Sequence, residues 1–569
     1  MTMRKSATAT KLPTRSGDSV GEKKITIYQI FTRLFGNRNA TRQPDGTLEQ
    51  NGSGKLNDFT PSVLKDIRQM GITHVWYTGV IRHATQTDYS AYGIPRQHPA
   101  VVKGVAGSPY AIADYYDVDP DLATKVDKRM EEFEKLVART HRAGLGVIID
   151  FVPNHVARQY QSVCKPEGVA DLGEGDDPQQ GFSPQNNFYY CPGEGFAPHF
   201  DLCEGQDRPY AEYPAKATGN DCFCNAPGTN DWYETVKLCY GVDYYAGRQP
   251  HFDPIPSTWH KMLHILLFWA AKGIDGFRCD MAEMVPSEFW AWAIRQVKQQ
   301  YPDILFIGEV YNPGDYRRYL AAGFDYLYDK VGMYDTVRLV TCHRQGVGAI
   351  TRAWQATDDI RQHMLYFLEN HDEQRLASDF FAGNGSKGIP ALVVCALLLQ
   401  NPFMVYAAQE YGERGMDAEG FSGLDGRTTI FDYWSVDTLC RAASGQLTAE
   451  ESRLAGVYRK VLNIATTEKA IEQGAMFDLM YVNQHLQRQY AFLRKSTDEM
   501  LLVVANFDDS DAHISLNVPS HAFDYLAIAE RSYDTTELLT GNVCQLDMQR
   551  DAAISLIIPQ RNALILKLK

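Results

Sequence analysis

The stretch GVIIDFVPNH, residues 146–155, begins with an apolar run and ends in polar side chains. A continuous apolar run without polar alternation is typical of a strand that is buried on both faces of a parallel sheet. It follows a helical pattern that carries Phe133, Leu136 and Val137 on one face and ends near Gly144. The segment therefore predicts a βα repeat whose polar residues lie at the carboxyl end of the strand.

The same succession of a helical pattern and a short apolar strand recurs along most of the chain. Eight runs fit the strand pattern: residues 25–31, 74–77, 146–151, 274–280, 305–309, 324–328, 364–368 and 403–406. Eight parallel strands joined by helices close into a barrel, and the carboxyl ends of its strands carry the functional groups. The sequence thus predicts an α/β fold, a (β/α)8 TIM barrel over residues 25–157 and 257–474.

The repeat is interrupted at two places. Residues 158–256 are rich in Gly, Pro, Asp, Asn and Cys and are too many for a connecting loop, so we expect an inserted cysteine-rich domain after strand three. Residues 475–569 show strand patterns without helices, which predicts a C-terminal antiparallel β-sandwich domain. Residues 1–24 are polar and basic, and we expect a disordered N-terminal arm there.

The formal net charge of the 569 residues is −14. Such a chain offers no basic surface, which argues against nucleic acid and against an anionic membrane as partners. The first 24 residues lack the apolar core of a secretory signal, and the odd number of cysteines, 11, favours free thiols, so we expect a cytoplasmic location. Six cysteines lie within residues 164–239, where disulfides and a metal site both stay open, although no zinc-type CxxC pair is present.

Polar side chains follow four of the predicted strands at the point where each strand ends. Strand three ends in DFVPNH (150–155), strand four in DGFRCD (275–280), strand five in GEV (308–310) and strand seven in ENHD (369–372). Because a barrel brings such ends to one face, Asp280 and Glu309 are expected to meet. Two carboxyl groups about 5–5.5 Å apart are what cleavage of a glycosidic bond with retention requires, one as nucleophile and one as acid and base.

These four segments resemble, in order and in position, the four short sequence regions of the α-amylase family, the retaining α-glucoside-active clan known as glycoside hydrolase family 13. The resemblance implies that Asp280 is the nucleophile and that Glu309 is the general acid and base. It implies that Asp372 binds sugar hydroxyls and helps to distort the sugar ring. All three would be catalytic residues.

The resemblance also implies four substrate-binding residues. Tyr110 would stack on the sugar at the cleavage site, and His155 and His371 would contact its hydroxyls. Arg278, two residues before Asp280 on the same strand, points to the same face and is expected to hold Asp280 ionised by lowering its pKa. Asp150 is expected to support Arg278 rather than to react.

Members of the α-amylase family often carry calcium between the barrel and the inserted domain. The resemblance makes Asn154 and Asp243 the candidate Ca2+ ligands, with hydrogen bonds in local turns as the alternative role of their side chains. In one respect this sequence departs from the family. Glu283 and Met284 stand where many α-amylases have a Lys-His pair that contacts the leaving-group sugar, so the leaving group is expected to be held differently here.

Three functional hypotheses follow, all with an α-glucan or maltooligosaccharide as the partner. The first is retaining hydrolysis of α-1,4-glucosidic bonds in starch, glycogen or maltodextrins. The second is an α-glucan transglycosylase or a glucoside isomerase that uses the same site, with a sugar hydroxyl in place of water. The third is a catalytically silent carbohydrate-binding barrel.

Overall fold

The computed structural model describes residues 23–203 and 208–569. Its centre is a closed barrel of eight parallel strands, as the sequence predicted. The strands are β1 Thr26–Phe31, β2 His74–Thr78, β3 Gly146–Phe151, β4 Gly276–Cys279, β5 Leu305–Gly308, β6 Tyr326–Tyr328, β7 Met364–Phe367 and β8 Phe403–Tyr406. The barrel closes because β1 pairs in parallel with β2 on one side and with β8 on the other.

Side chains from the strands fill the interior of the barrel. Ile27, Trp76, Ile148, Ile307 and Met404, each from a different strand, belong to one buried cluster. A second, larger cluster lies outside the strands, where the helices pack against them. The barrel is therefore a solid support, and its functional groups lie at its ends.

Helices cover the outside of the barrel. The helix Pro61–Gln69 begins with Pro61 in its first turn and with Thr60 Oγ1 accepting a hydrogen bond from the amide of Val63 at 3.3 Å. In the helix Ser257–Ala270, Pro256 is the capping residue and Ser257 is the first helical residue. The longer helices are Pro61–Gln69, Arg129–Arg142, Ser257–Ala270, Ser287–Gln300, Asp335–Thr341, Gly348–Ala356, Ile389–Leu397, Asp437–Ser444 and Ala449–Thr467.

The segment between β3 and Ser257 contains three small antiparallel strand pairs. They are His155–Ala157 with Thr235–Lys237, Tyr190–Cys191 with Ala215–Lys216, and Val242–Asp243 with Gln249–Pro250. The first pair joins this inserted segment to the chain that leaves β3. All eleven cysteines of the protein carry free thiols, and the Cys222 and Cys224 sulfurs lie 3.4 Å apart.

Most of the expected N-terminal arm, residues 1–22, lies outside the described residues. Its end, however, is part of the fold. Lys24 is buried, and its Nζ donates a 2.6 Å hydrogen bond to the carbonyl oxygen of Leu399. The arm therefore cannot extend to residue 24, since Lys24 is fixed at the base of the barrel.

The C-terminal part of the chain forms two antiparallel sheets. Six strands make the larger sheet: β9 Ala475–Asp478, β10 Gln489–Lys495, β11 Met500–Asn506, β13 Arg531–Glu537, β14 Val543–Met548 and β16 Asn562–Leu568. The smaller sheet pairs β12 Ala512–Asn517 with β15 Ala553–Ile558. This agrees with the predicted antiparallel sandwich, except that the short helix Ser520–Leu526 interrupts the strands.

A buried arginine joins the larger sheet to the barrel. Arg494 lies on β10 with 2% of its surface exposed. Its guanidinium donates to the carbonyl oxygens of Ala470, Leu398 and Ile471 at 3.0, 2.9 and 2.6 Å. Burial lowers the pKa of Arg494 to about 9. Carbonyl groups at the end of the barrel helix Ile389–Leu397 and in the short helix Lys469–Glu472 thus accept hydrogen bonds from one side chain of the sheet.

None of the helices within residues 23–203 and 208–569 is both long and apolar enough to cross a membrane.

We predict that Arg494→Met destabilises the protein by about 2–5 kcal/mol, because three buried carbonyl groups lose a charged donor and no water replaces it. Urea unfolding followed by tryptophan fluorescence measures the change. Arg531→Met, on an exposed arginine of β13, is the matched control and should change stability by less than about 0.5 kcal/mol. Equal midpoints for the two variants would contradict the structural role of Arg494.

Candidate active site

The ends of β3, β4 and β5 bring the predicted polar residues together. Arg278 is in register with Asp150 on β3 and with Ile307 on β5. The parallel hydrogen bonding continues past the strands, since the Asp280 amide donates to Phe151 O at 2.9 Å and the Glu309 amide to Cys279 O at 3.1 Å. The backbone of the sheet therefore sets the positions of Asp280 and Glu309.

One guanidinium links the two carboxylates. Arg278 Nη1 donates to Asp280 Oδ1 at 2.8 Å, and Arg278 Nη2 forms an ion pair with Glu309 Oε2 at 2.7 Å. Arg278 is 1% exposed, Asp280 6% and Glu309 3%. Asp150 contacts the same Nη1 at 3.5 Å and is held by the indole N–H of Trp76 at 3.0 Å. Three buried carboxylates thus share one arginine.

Asp280 has one oxygen engaged and one free. Oδ1 accepts the hydrogen bond from Arg278, whereas no donor among the described residues reaches Oδ2. Burial raises the pKa of the Asp280 carboxyl well above its usual range, the guanidinium of Arg278 lowers it only in part, and the Glu309 charge raises it. Arg278 lowers the pKa of Asp280, as expected, but desolvation in this buried position is the larger effect, so the net shift is upward.

Both oxygens of Glu309 are engaged. Oε2 accepts a hydrogen bond from the Met281 amide at 2.8 Å, and Oε1 accepts one from the Tyr311 hydroxyl at 2.7 Å. Met281 has a φ of 41°, in the left-handed region that side chains other than glycine rarely adopt. This turn aims the amide after Asp280 at Glu309, so backbone strain helps to position the second carboxylate.

Glu283 supports this arrangement by binding two backbone amides that follow Glu309. Its Oε2 accepts hydrogen bonds from the amides of Tyr311 and Asn312, both at 3.0 Å. Glu283 thereby fixes the turn that carries the Tyr311 hydroxyl to Glu309. Tyr311 is not among the residues predicted from the sequence, although it stands two residues after the strand-end glutamate. Glu283 was predicted to differ from the family at the leaving-group side, and its contact with the Tyr311 and Asn312 amides is visible only in the structure.

Asp372 lies beside a second hydrogen-bonded group. His371 Nε2 is 3.1 Å from Asp372 Oδ2 and 2.6 Å from the Tyr110 hydroxyl, and Gln29 Nε2 is 2.7 Å from His371 Nδ1. The rings of Tyr110 and His371 stack at a centroid distance of 5.1 Å. Burial lowers the pKa of His371 to about 3, so its ring is neutral, with its proton on Nε2 if Gln29 donates to Nδ1. The Asp372 side chain is 39% exposed, which leaves it open to a ligand.

His155 lies next to this group. It is buried, and its ring contacts the backbone of Tyr110. The Trp232 ring from the inserted segment packs against it at a centroid distance of 5.2 Å. Burial lowers the pKa of His155 to about 3, so this ring is also neutral. The structure therefore gathers the three predicted catalytic residues and the four predicted substrate-binding residues around the same strand ends.

The two predicted calcium ligands do not form such a group. Asn154 Oδ1 accepts a hydrogen bond from Lys237 Nζ at 2.5 Å, so an ammonium group already occupies the space that a cation would need. Asp243 Oδ1 accepts from the amides of Tyr245 and Ala246 at 2.9 and 3.1 Å, which is the turn role named as the alternative. These side chains do not fit a Ca2+ site.

Another cluster has the spacing of a metal site. Oxygen and sulfur atoms of Asp114, Asp117 and Cys164 lie within 4.8 Å of one another. Arg82 pairs with Asp114 at 3.2 Å and with Asp117 at 3.3 Å, and Arg129 pairs with Asp117 at 2.6 Å. These two arginines neutralise the carboxylates, so the cluster is explained by ion pairs.

Comparisons with known proteins find similarity along nearly the whole chain. Residues 29–456 match the family model "Alpha amylase, catalytic domain", and residues 481–569 match "Alpha amylase, C-terminal all-beta domain". The chain is similar to Alpha-amylase 3 of Dictyoglomus thermophilum, with 23% identity over 547 residues that cover 91% of this chain and 92% of that protein. It is also similar to Neopullulanase 2 of Thermoactinomyces vulgaris, with 22% identity over 87% of this chain and 72% of that protein.

A solved structure shares the fold. The crystal structure of an α-amylase from Geobacillus thermoleovorans, complexed with acarbose, aligns with a TM-score of 0.63. The alignment covers 96% of this chain and 98% of that chain at 17% identity. A likeness at this level of identity establishes the architecture of the barrel and of the C-terminal sheets.

We predict that Arg278→Lys lowers kcat for maltooligosaccharide cleavage by roughly 100-fold, because one ammonium group cannot contact Asp280 and Glu309 in the same way. The guanidinium lowers the pKa of Asp280, so its loss raises that pKa. With Asp280 as the expected nucleophile, the acid limb of kcat/KM should therefore move to higher pH. The measurement is a pH profile of initial rates.

Tyr328→Phe is the control for this substitution, because it removes only the hydroxyl that lies 3.3 Å from Arg278 Nε. It should leave kcat within about threefold of wild type, as expected for loss of one weak hydrogen bond. An Arg278→Lys enzyme with an unchanged acid limb and nearly normal kcat would contradict the bridging role.

Proposed function

The chain belongs to the α-amylase family of glycoside hydrolases, and we propose that it hydrolyses α-1,4-glucosidic bonds of starch, glycogen or maltodextrins with retention of configuration. The observation that carries this proposal is the arrangement of Asp280 and Glu309 on neighbouring nitrogens of one guanidinium. A retaining hydrolase needs two carboxyl groups at such close range, one to attack and one to transfer a proton. The free Oδ2 of Asp280 supports its role as the attacking group.

In the proposed first step, Asp280 Oδ2 forms a bond to the anomeric carbon while the bond from that carbon to the leaving oxygen breaks. The leaving oxygen takes a proton from Glu309, and a covalent glycosyl ester of Asp280 remains. In the second step, Glu309 accepts a proton from water, whose oxygen attacks the same carbon and releases Asp280 as a carboxylate. Two inversions give the α-anomer.

The proposed proton transfers start from one protonation state of the two carboxyl groups. Burial and the Glu309 charge raise the pKa of Asp280, whereas Arg278 lowers it. The productive state is the one in which Asp280 is ionised and Glu309 carries the proton. Arg278 favours it by neutralising the charge of Asp280.

We propose that the remaining site residues bind the sugar on the non-reducing side of the scissile bond. The exposed carboxylate of Asp372 would accept hydrogen bonds from hydroxyls of the ring, and neutral His155 and His371 would contact the same sugar. The aromatic ring of Tyr110 would pack against that sugar. The hydrogen bond between the Tyr110 hydroxyl and His371 holds this ring in its orientation. Such contacts strengthen as the ring distorts toward the transition state.

Hydrolysis is favoured over transfer by the comparisons, because the relatives named above are an amylase and a neopullulanase. Membership in a family of enzymes argues against the silent barrel.

We also propose a cytoplasmic location, which the eleven free thiols support. Calcium has no step in this mechanism, since the side chains expected to bind it are engaged with Lys237 and with a local turn.

We predict that Glu309→Gln lowers kcat on maltoheptaose by roughly 10²–10⁴-fold, because proton transfer is lost, while the dissociation constant for the substrate changes little. Single-turnover rates and calorimetric titration separate these two quantities. A loss of binding as large as the loss of rate would contradict the assignment of Glu309 as acid and base. Asp280→Asn should abolish turnover as well, and unchanged activity in that variant would refute the nucleophile.

We predict that the first products from maltoheptaose are α-anomers. Proton NMR during the first minutes of reaction distinguishes them from β-anomers before mutarotation mixes the two. Added labelled maltose should stay out of longer oligosaccharides, since water is the proposed acceptor. Initial β-anomers would exclude the retaining mechanism, and labelled longer products would favour the transglycosylase.

A further inference from the structure

An ammonium group lies at the junction between the barrel and the inserted segment. Lys237 Nζ is 2.5 Å from Asn154 Oδ1 and 2.6 Å from Asp221 Oδ1. Asn154 follows β3 of the barrel, whereas Lys237 and Asp221 belong to the inserted segment. The Lys237 side chain is 2% exposed. One cation therefore joins oxygen atoms from the two parts of the structure.

The backbone holds this arrangement in place. His155 pairs with Lys237 in the antiparallel strands, and the amide of Leu238 donates to Asn154 O at 3.0 Å. Asn154 Nδ2 donates to Gly219 O at 2.8 Å, which directs Oδ1 of the same amide toward Lys237. The position of the ammonium is thus fixed from both sides.

An ion placed at Lys237 Nζ would lie 2.5 Å from Asn154 Oδ1 and 2.6 Å from Asp221 Oδ1. Calcium binds protein oxygens at about 2.3–2.6 Å, and an amide oxygen with a carboxylate is a usual part of its ligand set. A Ca2+ ion that used Asn154 Oδ1 and Asp221 Oδ1 would have to occupy the place of Lys237 Nζ. Two cations cannot share that place, because they would overlap and repel each other.

We propose that the Lys237 ammonium replaces a structural metal ion at this junction, so that the protein requires no Ca2+ there. The inserted segment brings its own cation on a strand, and this cation binds the barrel residue Asn154. This inference does not depend on the proposed reaction, because it concerns the stability of the junction.

The first experiment uses the wild-type protein after dialysis against EGTA. Its thermal unfolding midpoint is measured with and without millimolar CaCl2, and Ca2+ binding is measured by calorimetry. We expect the same unfolding midpoint in both conditions. We also expect no Ca2+ binding with a dissociation constant below about 100 μM, because a tighter site would be filled at millimolar Ca2+ and would stabilise the fold. A higher midpoint with Ca2+, or one tightly bound ion per chain, would overturn the proposal.

The second experiment compares two variants of Lys237. Lys237→Ala opens the space of the ammonium, whereas Lys237→Met removes the charge but keeps most of the volume. Both should unfold roughly 5 °C or more below wild type, because Asp221 and Asn154 lose the buried ammonium and Asp221 keeps only the longer ion pair with Arg248 at 3.8 Å. Millimolar Ca2+ should raise the midpoint of Lys237→Ala and leave that of Lys237→Met unchanged.

Lys128→Ala, on an ammonium whose side chain is 57% exposed, is the control and should match wild type with and without Ca2+. A Lys237→Ala protein as stable as the control, or one that Ca2+ leaves unchanged, would contradict the claim that the ammonium fills a cation position. The wild-type titration decides the calcium requirement even when a Lys237 variant does not fold. Since every readout is unfolding or ion binding, failure here leaves the hydrolase proposal standing.

Discussion

The active site depends on one buried guanidinium. Arg278 is the cation that Asp280, Glu309 and Asp150 share in the interior of the protein, where charges without a partner are costly. Burial, and to a smaller extent the neighbouring negative charge, raises the pKa of Asp150 to about 6 and that of Asp280 well above its usual range. Acid and base catalysis of glycoside cleavage needs two carboxyl groups in different protonation states. The barrel supplies this environment because its interior is packed with side chains below the site.

Around the guanidinium, short backbone features set the geometry. The left-handed Met281 turns its amide toward Glu309, and Glu283 binds the two amides that carry Tyr311 to the other oxygen of Glu309. The glutamate that stands at a Lys-His position of many family members is therefore part of the support of Glu309. In this chain the departure from the family changes the surroundings of Glu309, the proposed acid and base.

The inserted segment contributes to the site through its attachment. Lys237 binds Asn154, and the next residue, His155, contacts the backbone of Tyr110, which in turn binds His371. A continuous path of contacts thus leads from the junction to the sugar-binding side of the site. An ammonium fixed to a strand holds this path without an exchangeable ion, because its covalent attachment keeps it in place once the chain has folded.

The sequence by itself determined the eight strands, the antiparallel C-terminal sheets and the polar residues at the ends of β3, β4, β5 and β7. These features could be predicted because apolar periodicity is local and because a closed parallel barrel brings the carboxyl ends of its strands to one face. Only the tertiary structure decided how the side chains pair. The contact of Lys237 with Asn154 spans 83 residues, and the contact of Glu283 with the Tyr311 amide spans 28. It also decided that burial outweighs Arg278 at Asp280, since desolvation depends on the packing of the whole barrel and no local pattern of residues records it.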